Sequence, residues 1–262
     1  MEYRHIQLDL SSPVGRLWLH RPDARNAMSA AMGEEVAAAV AEIDAASEVR
    51  VLLVGGSGKG FSSGGDFALL EERAHDSAEN NRAAMRRFYD LYLSIARVAV
   101  PTIAVIHGAA LGAGLCFALA CDLRLASESA TMGLNFVRVG LHPGMAATHL
   151  LPRLCGPAVA RELLFTGRVV DARTALSLGV VNEVCADDQL SARAAALAEE
   201  IAAAAPGAVR RLKRTLTAGL VEGLERSLEL EAAAQAEDYQ SEDLAEAIRA
   251  FREKRRPLFQ GR

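Results

Sequence analysis

The feature that most constrains the fold of this chain is a long segment without charged residues near its middle. Residues 98–121 contain no Lys, Arg, Asp or Glu and read VAVPTIAVIHGAALGAGLCFALAC. The apolar, β-branched run at residues 102–106 is typical of a strand buried on both faces. The glycines of the following GAALGAG segment permit tight turns, and an apolar helix is predicted from Ala113 onward. The backbone N–H groups at such a helix start are free to bind negative charge.

The same segment is long enough to cross a bilayer. Pro101, His107 and the central glycines argue against a membrane span, and the flanks lack a pattern of snorkelling basic residues. We therefore expect no membrane partner.

Composition indicates a globular protein with no electrostatic preference for nucleic acid. Of the 262 residues, 51% are hydrophobic and 24% are charged, and the formal net charge is −4. The four cysteines form no C-x-x-C pair, which predicts buried free thiols in a reducing compartment and no metal site; they are Cys116, Cys121, Cys155 and Cys185. The N-terminal MEYRHIQLDL lacks a secretory signal pattern, so we expect a cytoplasmic protein.

Two kinds of organisation follow one another along the chain. The first part alternates predicted strands and helices: strands at 16–20, 49–54 and 102–106, helices at 29–46 and 78–99, then short strands and short helices at 122–184. After Asp187 only helices are predicted, at 190–204, 208–217, 220–239 and 242–253, with Ser241 as the N-cap of the last. This order predicts an α/β unit followed by a helical region.

The sequence lacks two common glycine-rich nucleotide-binding motifs. A phosphate-binding loop needs Ser or Thr after Lys59 and a glycine five positions before Gly58, but Gly60 and Leu53 stand there. Neither glycine cluster has the G-x-G-x-x-G spacing of a dinucleotide site. An NTPase and a dinucleotide enzyme are therefore not expected.

A different pattern fits the chain from end to end. The segments HRPDARNAMS, GKGFSSGGDF, HGAALGAGLCFALACDLRLAS, NFVRVGLHPGMAATHLLPRLCG, LFTGRVVDARTALSLGVVNEV and FREKRRPLFQG resemble the crotonase superfamily of enoyl-CoA hydratases and isomerases. The resemblance implies an α/β fold, a crotonase-like spiral of β-β-α units forming two stacked sheets. It implies a spiral core at residues 1–186 that binds acyl-CoA, and a helical region at residues 187–262 for oligomerisation, giving a homotrimer or a hexamer of two trimers.

The resemblance also implies a set of site residues. Crotonase-like proteins stabilise a thioester enolate with two backbone N–H groups, which match Gly65 and Ala113 here. Coenzyme A is implied as part of the substrate, with no tightly bound cofactor and no metal. Substrate-binding positions implied in this chain are Arg25, Asn26, Ala27, Lys59, Ser63, Asp66, Phe136, Phe251 and Lys254.

The chain departs from the family where hydratases carry two catalytic glutamates. Cys116 and Phe136 stand at those positions, and Gly144 stands where related isomerases and a dehalogenase carry an aspartate. His142 is a candidate acid or base, because imidazole is a common proton donor and acceptor in enzymes, and a hydrogen-bonded loop histidine is the alternative interpretation.

These observations predict an acyl-CoA enzyme of the enoyl-CoA hydratase/isomerase type for which plain hydration is doubtful. A divergent isomerase, a C–C hydrolase or a decarboxylase acting on a CoA thioester stays open. So does a non-catalytic acyl-CoA carrier.

Overall fold

The protein is an α/β structure with two sheets, as predicted. The computed structural model describes residues 3–11, 13–221 and 223–261. The strands are β1 (Ile6–Asp9), β2 (Val14–Leu19), β3 (Val51–Gly56), β4 (Thr102–Ile106), β5 (Ala109–Leu111), β6 (Leu123–Ser127), β7 (Thr131–Gly133), β8 (Val170–Asp171) and β9 (Glu183–Cys185). One sheet has six strands in the order β1-β2-β3-β4-β6-β9, and the other has three in the order β5-β7-β8. The β1–β2 and β7–β8 pairs are antiparallel and the remaining pairs are parallel.

Ten α-helices surround the sheets within the described residues. They are α1 (Ala30–Ala45), α2 (Phe67–Arg73), α3 (Ala78–Leu93), α4 (Ala113–Leu119), α5 (Ala147–Thr166), α6 (Ala172–Ser177), α7 (Leu190–Ala203), α8 (Pro206–Val221), α9 (Leu224–Asp238) and α10 (Glu242–Arg252). Ser241 caps α10 as predicted, since its side chain accepts a hydrogen bond from the Leu244 N–H. None of the described helices is both long enough and apolar enough to cross a membrane.

The central strands of the large sheet are buried on both faces, which explains their unbroken apolar sequences. On one face Leu53 and Ile103 pack in a cluster with Leu190 and Ala194 of α7. On the other face the alternate residues of β3 and β4 belong to the main core, which includes buried side chains of α1 and α4. The prediction of a doubly buried strand at residues 102–106 is therefore confirmed.

Glycines divide two helical segments of the chain. Residues 122–184 were expected to hold short helices; α5 spans 20 residues there, and a kink at Gly156 (φ 77°) divides it into two shorter helices. The predicted helix at 220–239 is divided by Gly223, whose φ of 80° belongs to the left-handed region; position 222 lies outside the described residues. The cysteine prediction holds in part, because Cys116 and Cys121 are buried free thiols whereas Cys155 and Cys185 are partly exposed.

The start of α5 is held by a carboxylate from the helical region. Ala146, the N-cap position, has a φ of 61° and offers no capping side chain. The buried Glu231 of α9 accepts hydrogen bonds from the N–H groups of Ala146 (2.7 Å) and Thr148 (2.9 Å) and from the Thr148 hydroxyl. A side chain distant in sequence therefore satisfies the free amides of this helix.

Replacing Glu231 tests this contact. We expect Glu231→Ala to lower the free energy of unfolding by about 3 kcal/mol, because it leaves two buried amides without an acceptor. Glu229→Ala is the matched control on α9: its exposed carboxylate pairs with Arg82 and Arg86, and its removal should cost less than about 1 kcal/mol. Denaturant titration measures both, and equal losses would contradict the role of Glu231.

The same carboxyl group predicts a pH dependence of stability. Burial raises the pKa of Glu231 to about 7, although its hydrogen bonds act in the opposite direction. A carboxyl whose folded pKa exceeds its unfolded value stabilises the protein at low pH, and this contribution is lost as pH rises through the folded value. We expect the unfolding free energy of the wild type relative to Glu231→Gln to fall between about pH 4.5 and 7. Urea titration at several pH values measures both unfolding free energies. A constant difference between the two proteins across this pH range would contradict the prediction.

Candidate functional site

Two glycine-rich loops meet at the ends of β3 and β4. The Ser62 amide donates to the Ala109 carbonyl, and the Leu111 amide donates to the Ser62 carbonyl, each at 3.0 Å. A Cβ atom at Gly114 would lie 2.6 Å from both Cβ and Oγ of Ser62. Glycine is therefore required at 114 for the start of α4 to reach the first loop.

Asn26 fixes the first loop from within. Its fully buried side chain donates from Nδ2 to the carbonyls of Ser57 (2.8 Å) and Gly60 (2.9 Å), while Oδ1 accepts the Arg21 amide (2.9 Å). Both polar atoms of the Asn26 side chain are therefore hydrogen-bonded to backbone groups. The Asn26 side chain therefore positions the loop that lines the cavity, and its predicted contact with substrate stays a prediction.

Gly65 and Ala113 both line one cavity. Gly65 forms a parallel bridge with Met28, in which the Met28 amide donates to Gly64 O and the Asp66 amide donates to Met28 O. Because successive N–H groups of an extended segment point to opposite sides, the Gly65 N–H points away from Met28. Ala113 is the first residue of α4. Across residues 3–11, 13–221 and 223–261, neither amide has a hydrogen-bond acceptor.

The cavity has a volume of about 490 Å³ and a mostly apolar wall. Its apolar lining residues are Ala24, Ala27, Phe67, Leu69, Leu70, Met85, Phe88, Phe136, Val139, Leu141, Met145, Leu244, Ala247, Ile248 and Phe251. Such a lining fits an acyl chain better than a polar substrate.

The mouth of the cavity is formed by α2 and α10. The ring of Phe67 stacks on that of Phe251 with centroids 4.3 Å apart, and Phe251 stays 66% exposed. Arg252 forms an ion pair with Glu71, which ties α10 to α2. The last helix therefore covers the cavity of its own chain.

Asp66 is the one carboxylate on the described wall of this cavity, and it is already engaged. It accepts the Ala68 amide at 3.1 Å as the N-cap of α2. Its other oxygen accepts a hydrogen bond from Arg21 at 2.8 Å. Asp66 thus anchors the loop that carries Gly65, although it also borders the cavity.

The inner end of the cavity is the part of its wall formed by the buried residues Tyr89, Gly144 and Gln235. Tyr89 of α3 donates its hydroxyl hydrogen to Gln235 Oε1 of α9 at 2.7 Å, and Gln235 Nε2 donates to the His142 carbonyl at 2.7 Å. A Cβ atom at Gly144 would lie 2.5 Å from Tyr89 Oη. Sequence reasoning missed both Tyr89 and Gln235, because each lies in a helix with no motif around it.

Burial keeps the thiol and the phenol of this region protonated. The pKa of Cys116 is raised well above its ordinary value by burial and by the nearby Glu231 charge, and Cys116 Sγ donates to the Gly144 carbonyl at 3.4 Å. Burial likewise raises the pKa of Tyr89 well above 10.0. Cys116 therefore offers neither a base nor a thiolate.

The structure does not bring every predicted residue to the cavity. Arg25 and Ser63 line it beside Asp66, but Lys59 and Lys254 are exposed outside it. His142 borders a separate surface depression, and its Nδ1 lies 2.7 Å from the Pro143 carbonyl. Its position therefore gives no support to a role as acid or base. Within the described residues no group of three or more His, Cys, Asp or Glu could hold a metal ion.

Known proteins that this chain resembles belong to one family. The family model described as enoyl-CoA hydratase/isomerase matches residues 9–262. The chain is 40% identical over 254 residues to "Enoyl-CoA hydratase domain-containing protein 2, mitochondrial" of Mus musculus, covering 95% of this chain and 85% of that protein. It is 37% identical to a "Probable enoyl-CoA hydratase" of Bacillus subtilis, covering 98% of each. A crystal structure of an enoyl-CoA hydratase/isomerase from Xanthobacter autotrophicus Py2 superposes with a TM-score of 0.87 at 33% identity, covering 96% of this chain and 94% of that one.

The role assigned to Asn26 gives a stability prediction. Asn26→Asp keeps the shape of the side chain but replaces the donor Nδ2 with a carboxylate oxygen. That oxygen would face two carbonyl oxygens, those of Ser57 and Gly60, which accept hydrogen bonds from Nδ2 in the wild type. We expect the unfolding free energy to fall by at least about 3 kcal/mol. Arg25→Ala is the control, since Arg25 shares the positive φ but is exposed, and it should change stability by less than about 1 kcal/mol. Thermal and urea unfolding measure both; an Asn26→Asp protein of unchanged stability would overturn the assignment.

Proposed function

Because this chain belongs to the enoyl-CoA hydratase/isomerase family, we propose that it is an acyl-CoA enzyme that stabilises a thioester enolate with the amides of Gly65 and Ala113. One observation carries the proposal: Gly65 and Ala113, from different loops, line the same apolar cavity, and their backbone N–H groups have no acceptor in the described chain. A thioester oxygen placed between them would accept both hydrogen bonds.

The physical basis is electrostatic. Ala113 is 5% exposed, so its N–H acts where water screens little charge. A donor fixed in such a site stabilises a developing oxyanion by about 3–4 kcal/mol. The dipole of α4 adds to the same effect at its N-terminus.

The proposed substrate pose follows the polarity of the cavity. The acyl chain would occupy the apolar interior beside Phe136, and the thioester would lie at Gly65 and Ala113. Arg25, Ser63 and Phe251 border the cavity and suit the pantetheine part. Lys59 and Lys254 carry exposed charges that suit the phosphates of coenzyme A.

The reaction after enolate formation is not hydration by paired glutamates in this proposal. Cys116 and Phe136 stand at the two glutamate positions that the family resemblance implies, and Cys116 is held as a thiol. Isomerisation, C–C cleavage and decarboxylation all pass through the enolate without needing that pair. A non-catalytic acyl-CoA carrier is the second candidate, because Asp66 is the one carboxylate of the described cavity wall and is engaged elsewhere.

Turnover separates the two candidates. The purified protein is incubated with enoyl-, β-keto- and malonyl-type CoA thioesters, and products are followed by mass spectrometry while binding is measured by calorimetry. Turnover of any thioester supports the enzyme. Saturable binding with no product from any of them supports the carrier, and no binding at all overturns both.

Oligomerisation and the division at residue 186 also stay proposals. Leu212 and Leu216 of α8 and Leu230 of α9 are 59%, 69% and 62% exposed, which suits burial in a homotrimer or hexamer. The helical region is also part of the cavity, since Gln235 and Phe251 line it. The cytoplasmic location stays a prediction from the sequence.

Ala113→Pro tests the amide itself. Proline is tolerated at the first position of a helix, so the change removes the N–H while leaving α4 in place. We expect kcat to fall by about 10²–10³-fold with CoA binding retained. Ala113→Gly keeps the N–H and should retain kcat within about 3-fold. Full activity in a folded Ala113→Pro protein would contradict the proposed oxyanion contact.

A further inference from the structure

The inner end of the cavity presents a phenol hydroxyl at a place where the main chain leaves no room for another side chain. A Cβ atom at Gly144 would lie 2.5 Å from Tyr89 Oη and 2.9 Å from Gln235 Nε2. Tyr89, Gln235 and Gly144 all line the cavity. The space that a side chain at 144 would occupy is therefore filled by the hydroxyl of Tyr89, which arrives from α3.

Hydrogen bonds fix the direction of this hydroxyl. The Gln235 amide is oriented by its Nε2 bond to the His142 carbonyl, so Oε1 faces Tyr89 and accepts the phenol hydrogen at 2.7 Å. Tyr89 is 2% exposed. The phenol is thus a protonated group held at a set position beside the cavity.

No base accompanies this acid among the described residues of the wall. Asp66 is engaged by Arg21 and by the start of α2. The other phenol of the wall, Tyr239, donates to Met85 Sδ at 3.5 Å. Removal of an α-proton and activation of water both need a base, whereas loss of carbon dioxide from a carboxylated α-carbon needs none.

We propose that the thioester is a 2-carboxyacyl-CoA, that its enolate forms by loss of CO2, and that Tyr89 protonates the α-carbon. This inference rests on the proposed function and narrows its substrate class. The bond between Cα and the carboxylate carbon breaks, and its electron pair forms the Cα=C1 bond while the thioester oxygen takes the negative charge. That charge lies at the Gly65 and Ala113 amides.

The second half of the reaction protonates the enolate at Cα. The enolate collapses to the thioester as the Tyr89 hydroxyl hydrogen leaves its acceptor, Gln235 Oε1, and is transferred to Cα, which leaves a phenolate. The phenolate takes a proton from water once the product leaves. In total, the reaction consumes one 2-carboxyacyl-CoA anion and one proton, and it forms one acyl-CoA and one CO2.

The apolar wall favours this reaction. A carboxylate in such surroundings loses the hydration that stabilises it in water, whereas CO2 carries no charge to desolvate. Phe136, Leu141 and Met145 provide this lining near the inner end. No basic side chain on the described wall besides the exposed Arg25 at the rim would hold the carboxylate back.

The test follows the proton in deuterated water. Racemic 2-methylmalonyl-CoA is the probe, because protonation of its enolate creates a deuterium-labelled stereocentre. The wild type should release CO2 and give one labelled enantiomer of the product. Tyr89→Phe should lower kcat by about 100-fold and give both enantiomers equally, since the enolate then takes its proton from solvent.

Two further variants separate catalysis from structure. Tyr92→Phe is the matched control on α3: its buried hydroxyl donates to the Ser29 carbonyl at 2.6 Å and does not line the cavity. It should keep kcat within about 3-fold and keep one enantiomer. Gly144→Ala should displace the Tyr89 hydroxyl while keeping the tyrosine, and it should also give both enantiomers.

The outcomes distinguish this inference from the proposed function. A single enantiomer from Tyr89→Phe overturns the role of Tyr89. Absence of CO2 release by a wild type that converts an enoyl- or β-keto-CoA overturns the substrate class and leaves the proposed function in place. No turnover of any thioester, together with no CoA binding, overturns both.

Discussion

The close approach of the two glycine-rich loops is the contact on which the rest of the site depends. The start of α4 reaches the first loop only because Gly114 has no Cβ, which would lie 2.6 Å from Ser62. Ser62 cannot move away easily, since its hydroxyl donates to the Asn26 carbonyl at 2.8 Å. Asn26 in turn holds the carbonyls of the loop. This chain of short contacts brings two amides with no acceptor in the described chain to one cavity wall.

The polar groups at the inner end of the cavity come from two helices, α3 and α9. The space beside Gly144 is occupied by the Tyr89 hydroxyl and the Gln235 amide. Both groups stay uncharged, which agrees with the apolar surroundings of Phe136. A site with fixed donors and no free base suits a reaction in which the enolate forms by loss of a neutral fragment and not by removal of a proton.

The helical region takes part in building the site and the core around it. Glu231 holds the start of α5, Gln235 orients Tyr89, and Phe251 stacks on Phe67 at the mouth. The first two contacts join residues 85 and 146 positions apart. The third joins the helices α2 and α10. Removal of the last helices would therefore be expected to open the site as well as any subunit interface.

The sequence by itself determined the doubly buried strand β4, the helix start at Ala113 and the family, because apolar runs and glycine spacing are local signals. The family resemblance also implied that Cys116 and Phe136 stand where hydratases carry two glutamates. Only the tertiary structure decided that Asn26 is a loop clamp, that His142 lies outside the cavity and that Tyr89 lies within it. The physical reason is that these roles depend on which distant backbone atoms surround a side chain, and local sequence patterns carry no signal of that.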